Sequence, residues 1–372
     1  MALVWSVRDA VVAGLFTKNQ VQAAPVRWSR RIVRGRRLVR GVLLNSGNAN
    51  ACTGADGARA TRSAAMALAR LMDCRGEQIL AASTGVIGVP LPVSRLIDAL
   101  PALAGNLRRN SGAALRAARA IMTTDTVPKQ GAALIGAGAS RFFRIGGMAK
   151  GAGMIHPDMA TMLAVVTTDA PLDADQARGL LREAVADSFH ALTIDGDTST
   201  NDCVFLIANG AAGGARPGAR VLNALGRGLD GVCRSLAEAI AADGEGARKV
   251  LVVSVTGARN DDDARTIART VASSMLVKTA VHGGDPNWGR VLAAAGRAGV
   301  RLSPPRLDLR IGGHLVARDG RASPGGERAA ARHLRGKHVT MDLNVGRGRG
   351  AATVFGSDLG ADYVRINAHY RS

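Results

Sequence analysis

The chain of 372 residues has little of what many functions require. Aromatic residues make up only 3%, which leaves few rings on which nucleic-acid bases could stack. Four cysteines, Cys52, Cys74, Cys203 and Cys233, show no CxxC spacing, so they supply neither a zinc site nor a disulfide framework and are expected to be reduced thiols. None of the seven histidines falls in an HxxxH or HExxH pattern, and no metal is expected. A GxxxxGK[ST] phosphate loop is missing, and Gly146-Gly147 and Gly151-Ala-Gly153 lack the GxGxxG spacing of a dinucleotide site. No stretch approaches the roughly 18 uninterrupted apolar residues of a spanning helix, so no membrane partner is expected. The first fifteen residues contain Arg8 and Asp9 and no clear small-residue cleavage site; a signal peptide is not read there, and the expected location is cytoplasmic.

Lysine is scarce too: six residues against 49 basic ones in all, in a chain of formal net charge +20. The arginines run from Arg8 to Arg371 rather than gathering in one tract. The densest stretch covers Arg27 to Arg40, and Gly346-Arg-Gly-Arg-Gly350 is similar to an RNA-binding tail repeat. A compositional arginine bias and a solvated basic face account for both, and no nucleic-acid partner is expected.

What is present is a globular pattern. Hydrophobic residues reach 47%, and the length exceeds that of a usual single domain, which predicts one large core plus a smaller unit. Periodicity alternates between strand and helix, the signature of an α/β or α+β chain. Val42 to Asn45 and Ile79 to Ser83 read as strands, the second broken by Thr84-Gly85, with a helix from Gly57 to Cys74 between them. Asp173, followed by Gln176, caps a helix predicted to reach Leu192. Further helices are expected over Val232–Ala242 and Asp262–Val277, with a strand over Val250–Val255. After Pro304 short alternating strands, Leu307–Ile311 and His338–Leu343, suggest a β-rich last third.

Several polar clusters stand out. In Lys150-Gly-Ala-Gly-Met-Ile-His-Pro-Asp-Met-Ala-Thr-Met-Leu-Ala-Val-Val, a glycine-rich approach runs into an apolar strand headed by Thr161. Thr161 Oγ at such a junction could attack the Ala160 carbonyl and, after hydrolysis, leave Thr161 as a new N-terminus. An α-amine titrates near pH 8, so a terminal threonine carries nucleophile and base in one residue. An ordinary threonine opening a buried strand fits the same residues. Asn45-Ser-Gly-Asn-Ala-Asn-Ala-Cys-Thr-Gly54 is a functional loop or a turn network. Ser83-Thr84-Gly85 pairs a hydroxyl with a glycine N–H and could cradle an oxyanion, or end a strand. Thr193-Ile-Asp-Gly-Asp-Thr-Ser-Thr-Asn-Asp202 lacks calcium-loop spacing and reads as a hydrogen-bonded loop near a polar site. Ala280-Val-His-Gly-Gly-Asp-Pro-Asn-Trp-Gly-Arg290 is another candidate site loop or a surface turn.

In order, NSGNANACTG, STGVIG, KGAGMIHPDMATML, TIDGDTSTND, DPNWGR and RINAHYRS resemble the successive motifs of the ornithine acetyltransferase family, the glutamate N-acetyltransferases of arginine biosynthesis, from about Gly14 to Ser372. The resemblance implies self-cleavage between Ala160 and Thr161, giving an α chain of residues 1–160 and a β chain of residues 161–372 that stay associated, as two α and two β chains. It implies that Thr161 takes an acetyl group from N2-acetylornithine and passes it to glutamate by ping-pong chemistry. Thr84 and Gly85 match the oxyanion pair. Thr124, Lys150, Glu245, Asn367 and Ser372 match substrate contacts, with Lys150 suited to a carboxylate and Glu245 to an ammonium. No cofactor is implied; acetyl-coenzyme A is a possible second acetyl donor. The related reading is an N-terminal-threonine amidohydrolase or aminopeptidase with water as the acceptor.

The implied fold is a layered sandwich of two sheets flanked by helices, of the self-processing N-terminal-threonine type, with a smaller β-rich C-terminal subdomain. Residues 1–250 would form the catalytic core and 251–372 the subdomain. Departures from the family pattern are a short segment ahead of Gly14-Leu-Phe-Thr-Lys18, implying a missing sheet-edge strand, and Asp158, His190 and Ser372 at positions where other residues are usual.

Overall fold

The computed structural model describes residues 1–136, 142–156 and 162–369. Its first sheet is built from β1 (Ala2–Phe16), β2 (Val39–Asn48), β3 (Ile79–Val86), β4 (Lys129–Gly136), β5 (Phe142–Lys150), β6 (Leu163–Thr168) and β7 (Cys203–Ala208). The seven strands lie in the order β3-β2-β1-β7-β6-β5-β4. Here β1 is central: residues 2–10 pair with β2, and residues 11–16 pair with β7. The residues ahead of Gly14 therefore occupy the middle of the sheet.

Strict alternation explains why residues 163–166 of β6 and the whole of β7 can be apolar. Leu163, Val165, Cys203, Phe205 and Ile207 face one core, while Ala164, Val166, Val204, Leu206 and Ala208 face another. Successive side chains of a strand point to opposite faces, so both faces of the sheet are covered. On the first face lie α1 (Ala24–Arg34) and α4 (Ser111–Ala120), contributing Ile32 and Ala118. On the second lie α5 (Ala174–Ala186) and α6 (Ala219–Ala242), contributing Leu181, Val185, Val232, Leu236 and Ile240. Between them in sequence, α2 (Gly54–Leu71) and α3 (Val93–Gly105) bury Leu68, Leu96 and Leu100 against Leu3, Leu43 and Ile79. The arginine-rich run from Arg27 to Arg40 forms α1 and the start of β2, with Arg31 stacked over Trp28 at 4.8 Å and Arg40 over Trp5 at 4.9 Å.

A second sheet takes β8 (Val250–Ala258), β9 (Asp308–Ile311), β10 (His314–Arg318), β11 (Arg321–Ala322), β12 (His338–Asn344) and β13 (Gly350–Ser357), in the order β11-β10-β9-β12-β8-β13. Alternation again divides its faces. Leu251, Val253 and Val255 meet α7 (Asp261–Ala272), whereas Val250 and Phe355 join the core beneath α5 and α6. The two sheets thus share a helical layer, with helices also on their outer faces.

Among the element boundaries that depart from the periodicity, three differ most. α6 begins at Ala219 rather than Val232, and one of its glycines is a packing position: a Cβ on Gly228 would sit 2.2 Å from Ile135 Cδ1. The helix capped by Asp173, whose carboxylate accepts from Asp175 and Gln176 N–H, ends at Ala186, and a short 3-10 turn follows. The stretch 262–277 is broken at Ser273-Ser274 into α7 and α8 (Met275–Gly283).

Candidate active site

A polar cavity of about 180 Å³ opens where β3, β5, the loop before β7, the end of α6 and the C-terminal helix (Ala361–His369) converge. Thr84, Gly85, Thr123, Thr124, Lys150, Asp195, Asp197, Glu245, Tyr363 and Asn367 are among its lining residues. Each comes from an element's end, where the backbone leaves the packed core and a side chain becomes accessible.

The β3 strand does not stop at Thr84-Gly85; it continues to Val86. Gly85 permits this with a φ of +127°, a conformation open in practice to glycine alone, and its α-carbon lies so close to β2 that a Cβ would fall 2.3 Å from the Gly47 carbonyl carbon. Gly85→Ala is therefore expected to lower stability by at least about 3 kcal/mol and to disturb the cavity wall, read by urea unfolding. Beside it, buried Thr84 accepts a hydrogen bond from Lys150 Nζ at 3.4 Å. An ammonium only donates, so the single hydroxyl proton of Thr84 is left to point elsewhere, as an oxyanion donor must.

Lys150 ends β5 inside a chain of buried charges. Its Nζ donates to Thr123 Oγ1 at 2.6 Å and lies 3.7 Å from Asp125 Oδ2. Asp125 Oδ1 accepts from Lys129 Nζ at 2.7 Å and from Gly151 N–H at 2.7 Å, and Lys129 also reaches Asp243 Oδ2 at 2.6 Å. Burial pushes the Asp125 carboxyl up, but the Lys150 and Lys129 ammoniums together with these hydrogen bonds outweigh it and hold it low. Burial lowers the Lys150 pKa; Asp125 opposes that shift and Lys129 adds to it. The Asp125 carboxylate 3.7 Å away supports the Lys150 ammonium, which is placed to meet an anionic ligand.

The opposite pole is acidic. Glu245 follows α6, its backbone N–H bonded to Ala152 O at 2.9 Å, and its Oε2 accepts from Asn367 Nδ2 at 2.8 Å. Gly153 lies against that carboxylate, where a Cβ would fall 2.3 Å from Oε2. Asp195 accepts from Met154 N–H at 2.5 Å and Ile155 N–H at 2.8 Å; burial raises its pKa despite these bonds. Tyr363 stands beside Asp195, its phenol pushed up by burial and by that carboxylate. A cation at one end and carboxylates at the other complement the paired charges of an amino acid.

Six of the residues singled out in the sequence, Thr84, Gly85, Thr124, Lys150, Glu245 and Asn367, come together in this one cavity. Ala160, Thr161 and Ser372 lie outside the described residues. Next to Thr161 in the chain, Met162 donates its N–H to Asp202 Oδ1 at 3.1 Å. The asparagine loop is a turn network: Asn45 Nδ2 holds Asn48 O, Asn48 Nδ2 holds Val89 and Pro90 O, and Asn50 Nδ2 holds Gly57 O. Thr193–Asp202 is a hydrogen-bonded loop on the cavity wall, fastened by Asn201 Nδ2 to Ala49 O and Ser83 O, both at 2.7 Å. The 280–290 segment is a helix junction away from the cavity, in which Asn287 caps α9 (Trp288–Gly296). Sequence reasoning gave no role to Thr123, Asp125, Lys129, Asp195, Asp243 and Tyr363. The available signal was the scarcity of lysine, since three of the six, Lys129, Lys150 and Lys278, are only 2% exposed.

The model of the ArgJ family matches residues 1–372. The arginine biosynthesis bifunctional protein ArgJ of Symbiobacterium thermophilum is 48% identical over 375 aligned residues, covering 100% of this chain and 92% of that protein. Its counterpart from Thermosynechococcus vestitus is 45% identical, with 100% of this chain and 92% of that protein covered. The crystal structure of ArgJ from Bacillus halodurans is 37% identical and superposes with a TM-score of 0.53, covering 55% of this chain and 97% of that one.

Proposed function

The chain belongs to the ArgJ family, and on that premise we propose that it transfers an acetyl group from N2-acetylornithine to glutamate, yielding ornithine and N-acetylglutamate. One observation carries the reading: a single dipolar cavity is lined from both sides of the Ala160–Thr161 bond. Thr84, Gly85, Thr124 and Lys150 come from before it, and Glu245, Tyr363 and Asn367 from after it. The chain first cuts itself at that bond, and the Thr161 hydroxyl, with its own α-amine as base, accepts the acetyl group as an ester. Thr84 and Gly85 hold the oxyanion of each tetrahedral intermediate. Lys150 and Thr124 take the substrate carboxylate side, and Glu245, Asn367 and Ser372 the amine side. Glutamate then attacks the ester and leaves as N-acetylglutamate.

The sheet itself supports halves that stay together after the cut. β6 and β7 follow the bond, yet β6 pairs with β5 and β7 with β1, so two ladders span the junction. The solved Bacillus halodurans chain, 97% of which is matched by 55% of this one, is a little over half as long, as a chain cut at this place would be. Family membership supports an assembly of two α and two β chains. Both curated relatives are named bifunctional, which supports acetyl-coenzyme A as a second donor. The test incubates purified protein with N2-acetylornithine and glutamate, then with acetyl-coenzyme A and glutamate. N-acetylglutamate is expected in the first incubation, and its appearance in the second decides the second donor. Ornithine and free acetate without N-acetylglutamate would mean that water is the acceptor, and the transferase reading would fall.

A further inference from the structure

None of the described residues of the C-terminal helix (Ala361–His369) is buried, and polar links hold it against the cavity. Arg248 Nη2 pairs with Asp362 Oδ2 at 3.0 Å, while Asn367 Nδ2 donates to Glu245 Oε2 at 2.8 Å and to Tyr363 O at 3.1 Å. A Cβ on Gly246 would fall 2.4 Å from the Tyr363 nitrogen, so the helix lies directly on the backbone that carries Glu245. Tyr363 thereby lines the cavity with Glu245 and turns its hydroxyl to Asp195. Asp195 is already held by the backbone: Oδ1 accepts from Ile155 N–H at 2.8 Å and Asp197 N–H at 3.2 Å, and Oδ2 from Met154 N–H at 2.5 Å. Both amide protons of Asn367 are spent, and ionised carboxylates only accept. Among Glu245, Asp195, Asn367 and Tyr363, the phenol is therefore the group with a proton to give a ligand.

We propose that Tyr363 lets this end of the cavity receive the side chains of both substrates in turn, an inference that rests on the acetyl-transfer reading above. Both substrates are α-amino acids that react at the α-nitrogen, so they share that nitrogen and the α-carboxylate. They differ at the side-chain end, an ammonium on N2-acetylornithine and a carboxylate on glutamate. An end built of carboxylates alone attracts the first and repels the second. With N2-acetylornithine bound, the phenol oxygen accepts from the ammonium and its proton stays toward Asp195. With glutamate bound, the O–H rotates about its C–O bond and donates to the γ-carboxylate.

The surroundings permit that rotation. Asp195 keeps its three backbone donors when the phenol turns away, so no buried carboxylate is left bare. Burial and the Asp195, Glu245 and Asp197 carboxylates push the Tyr363 pKa up, which keeps the proton on the phenol at working pH.

Tyr363→Phe removes the hydroxyl and keeps the ring. In a ping-pong reaction kcat/KM for each substrate reports its own half-reaction, so the two can be read apart. The variant's kcat/KM for glutamate is expected to fall about 10 to 100-fold, the loss of a hydrogen bond to a charged group, and about tenfold further than that for N2-acetylornithine. Equal falls for the two substrates, as a structural role would give, overturn the proposal, and so does a fall confined to N2-acetylornithine. If Tyr363→Phe does not melt cooperatively, fluorine NMR of the wild-type sequence grown with 3-fluorotyrosine decides, since the chain has two tyrosines and Tyr370→Phe assigns the signals. Different Tyr363 shifts with ornithine and with glutamate support the rotation, and one shift for both overturns it. Wild-type protein that makes no N-acetylglutamate would end the transfer reading itself; wild-type transfer with equal falls in the variant ends only the proposal about Tyr363.

Discussion

Thr161→Ala is expected to yield one full-length chain of 372 residues and no N-acetylglutamate, where the wild-type protein is expected to yield two fragments and to turn over. Both losses have one cause. Alanine has no hydroxyl to attack the Ala160 carbonyl, so the peptide bond persists, and with it the nitrogen stays an amide that cannot serve as a base. Removing a nucleophile that acts together with its base costs rate on the order of 10⁴ to 10⁶-fold. Thr161→Ser restores hydroxyl and amine together and should recover both cutting and transfer in part. Gel electrophoresis and intact mass report the first effect, and chromatography of N-acetylglutamate reports the second. Efficient cutting of the alanine variant after residue 160 would sink the mechanism. Because β5–β6 and β1–β7 pairing does not depend on the cut, the uncut chain should fold, and its thermal melt should remain cooperative.

The parts of the site legible in the sequence are those written in contiguous motifs. Thr84-Gly85, Lys150 and Glu245 each sit in a short string whose glycines and hydroxyls mark an element's end, and the cavity is made of such ends. Strand cores were legible for the same local reason: β8 and β12 declare themselves by β-branched and alternating residues. What was not legible is long-range. Lys129 meets Asp243 from 114 positions away, and no local pattern encodes that pairing. Glycine misled twice, in opposite senses. Gly85 looked like a strand terminator but lets β3 continue by kinking against Gly47. The helix expected from Val232 leaves Gly228 outside it, yet α6 needs a residue without a side chain there to lie down on Ile135. The break at Ser273-Ser274 was invisible because α7 and α8 together keep an unbroken apolar periodicity.

Asp125→Asn carries the largest expected loss of stability. Asp125 stands between two buried ammoniums, and its side chain has 0% exposure. Both oxygens are occupied, Oδ1 by Lys129 and Gly151 N–H, Oδ2 by Thr123 N–H at 3.1 Å with Lys150 close by. An asparagine of the same shape removes the negative charge and turns an N–H donor toward one of the cations. Leaving buried charge uncompensated in this way costs about 3–5 kcal/mol, measurable as a drop in the urea midpoint. The pH dependence follows from the signs. The Asp125 pKa is held below its unfolded value, so its contribution is fully present above that unfolded value, roughly pH 4, and is lost as pH falls through the lower folded value. The gap between wild type and variant should therefore be widest near neutrality and close in acid. It should narrow again in alkali, because the Lys150 pKa is lowered in the fold and falls further once Asp125 no longer supports the ammonium. A depressed lysine destabilises the fold while protonated and is relieved as pH rises from its folded toward its unfolded value, so the variant recovers more than wild type. A variant as stable as wild type at pH 7, or a gap unchanged from pH 3 to pH 10, would show that the charge chain through Lys129, Asp125 and Lys150 is not what holds this wall of the cavity.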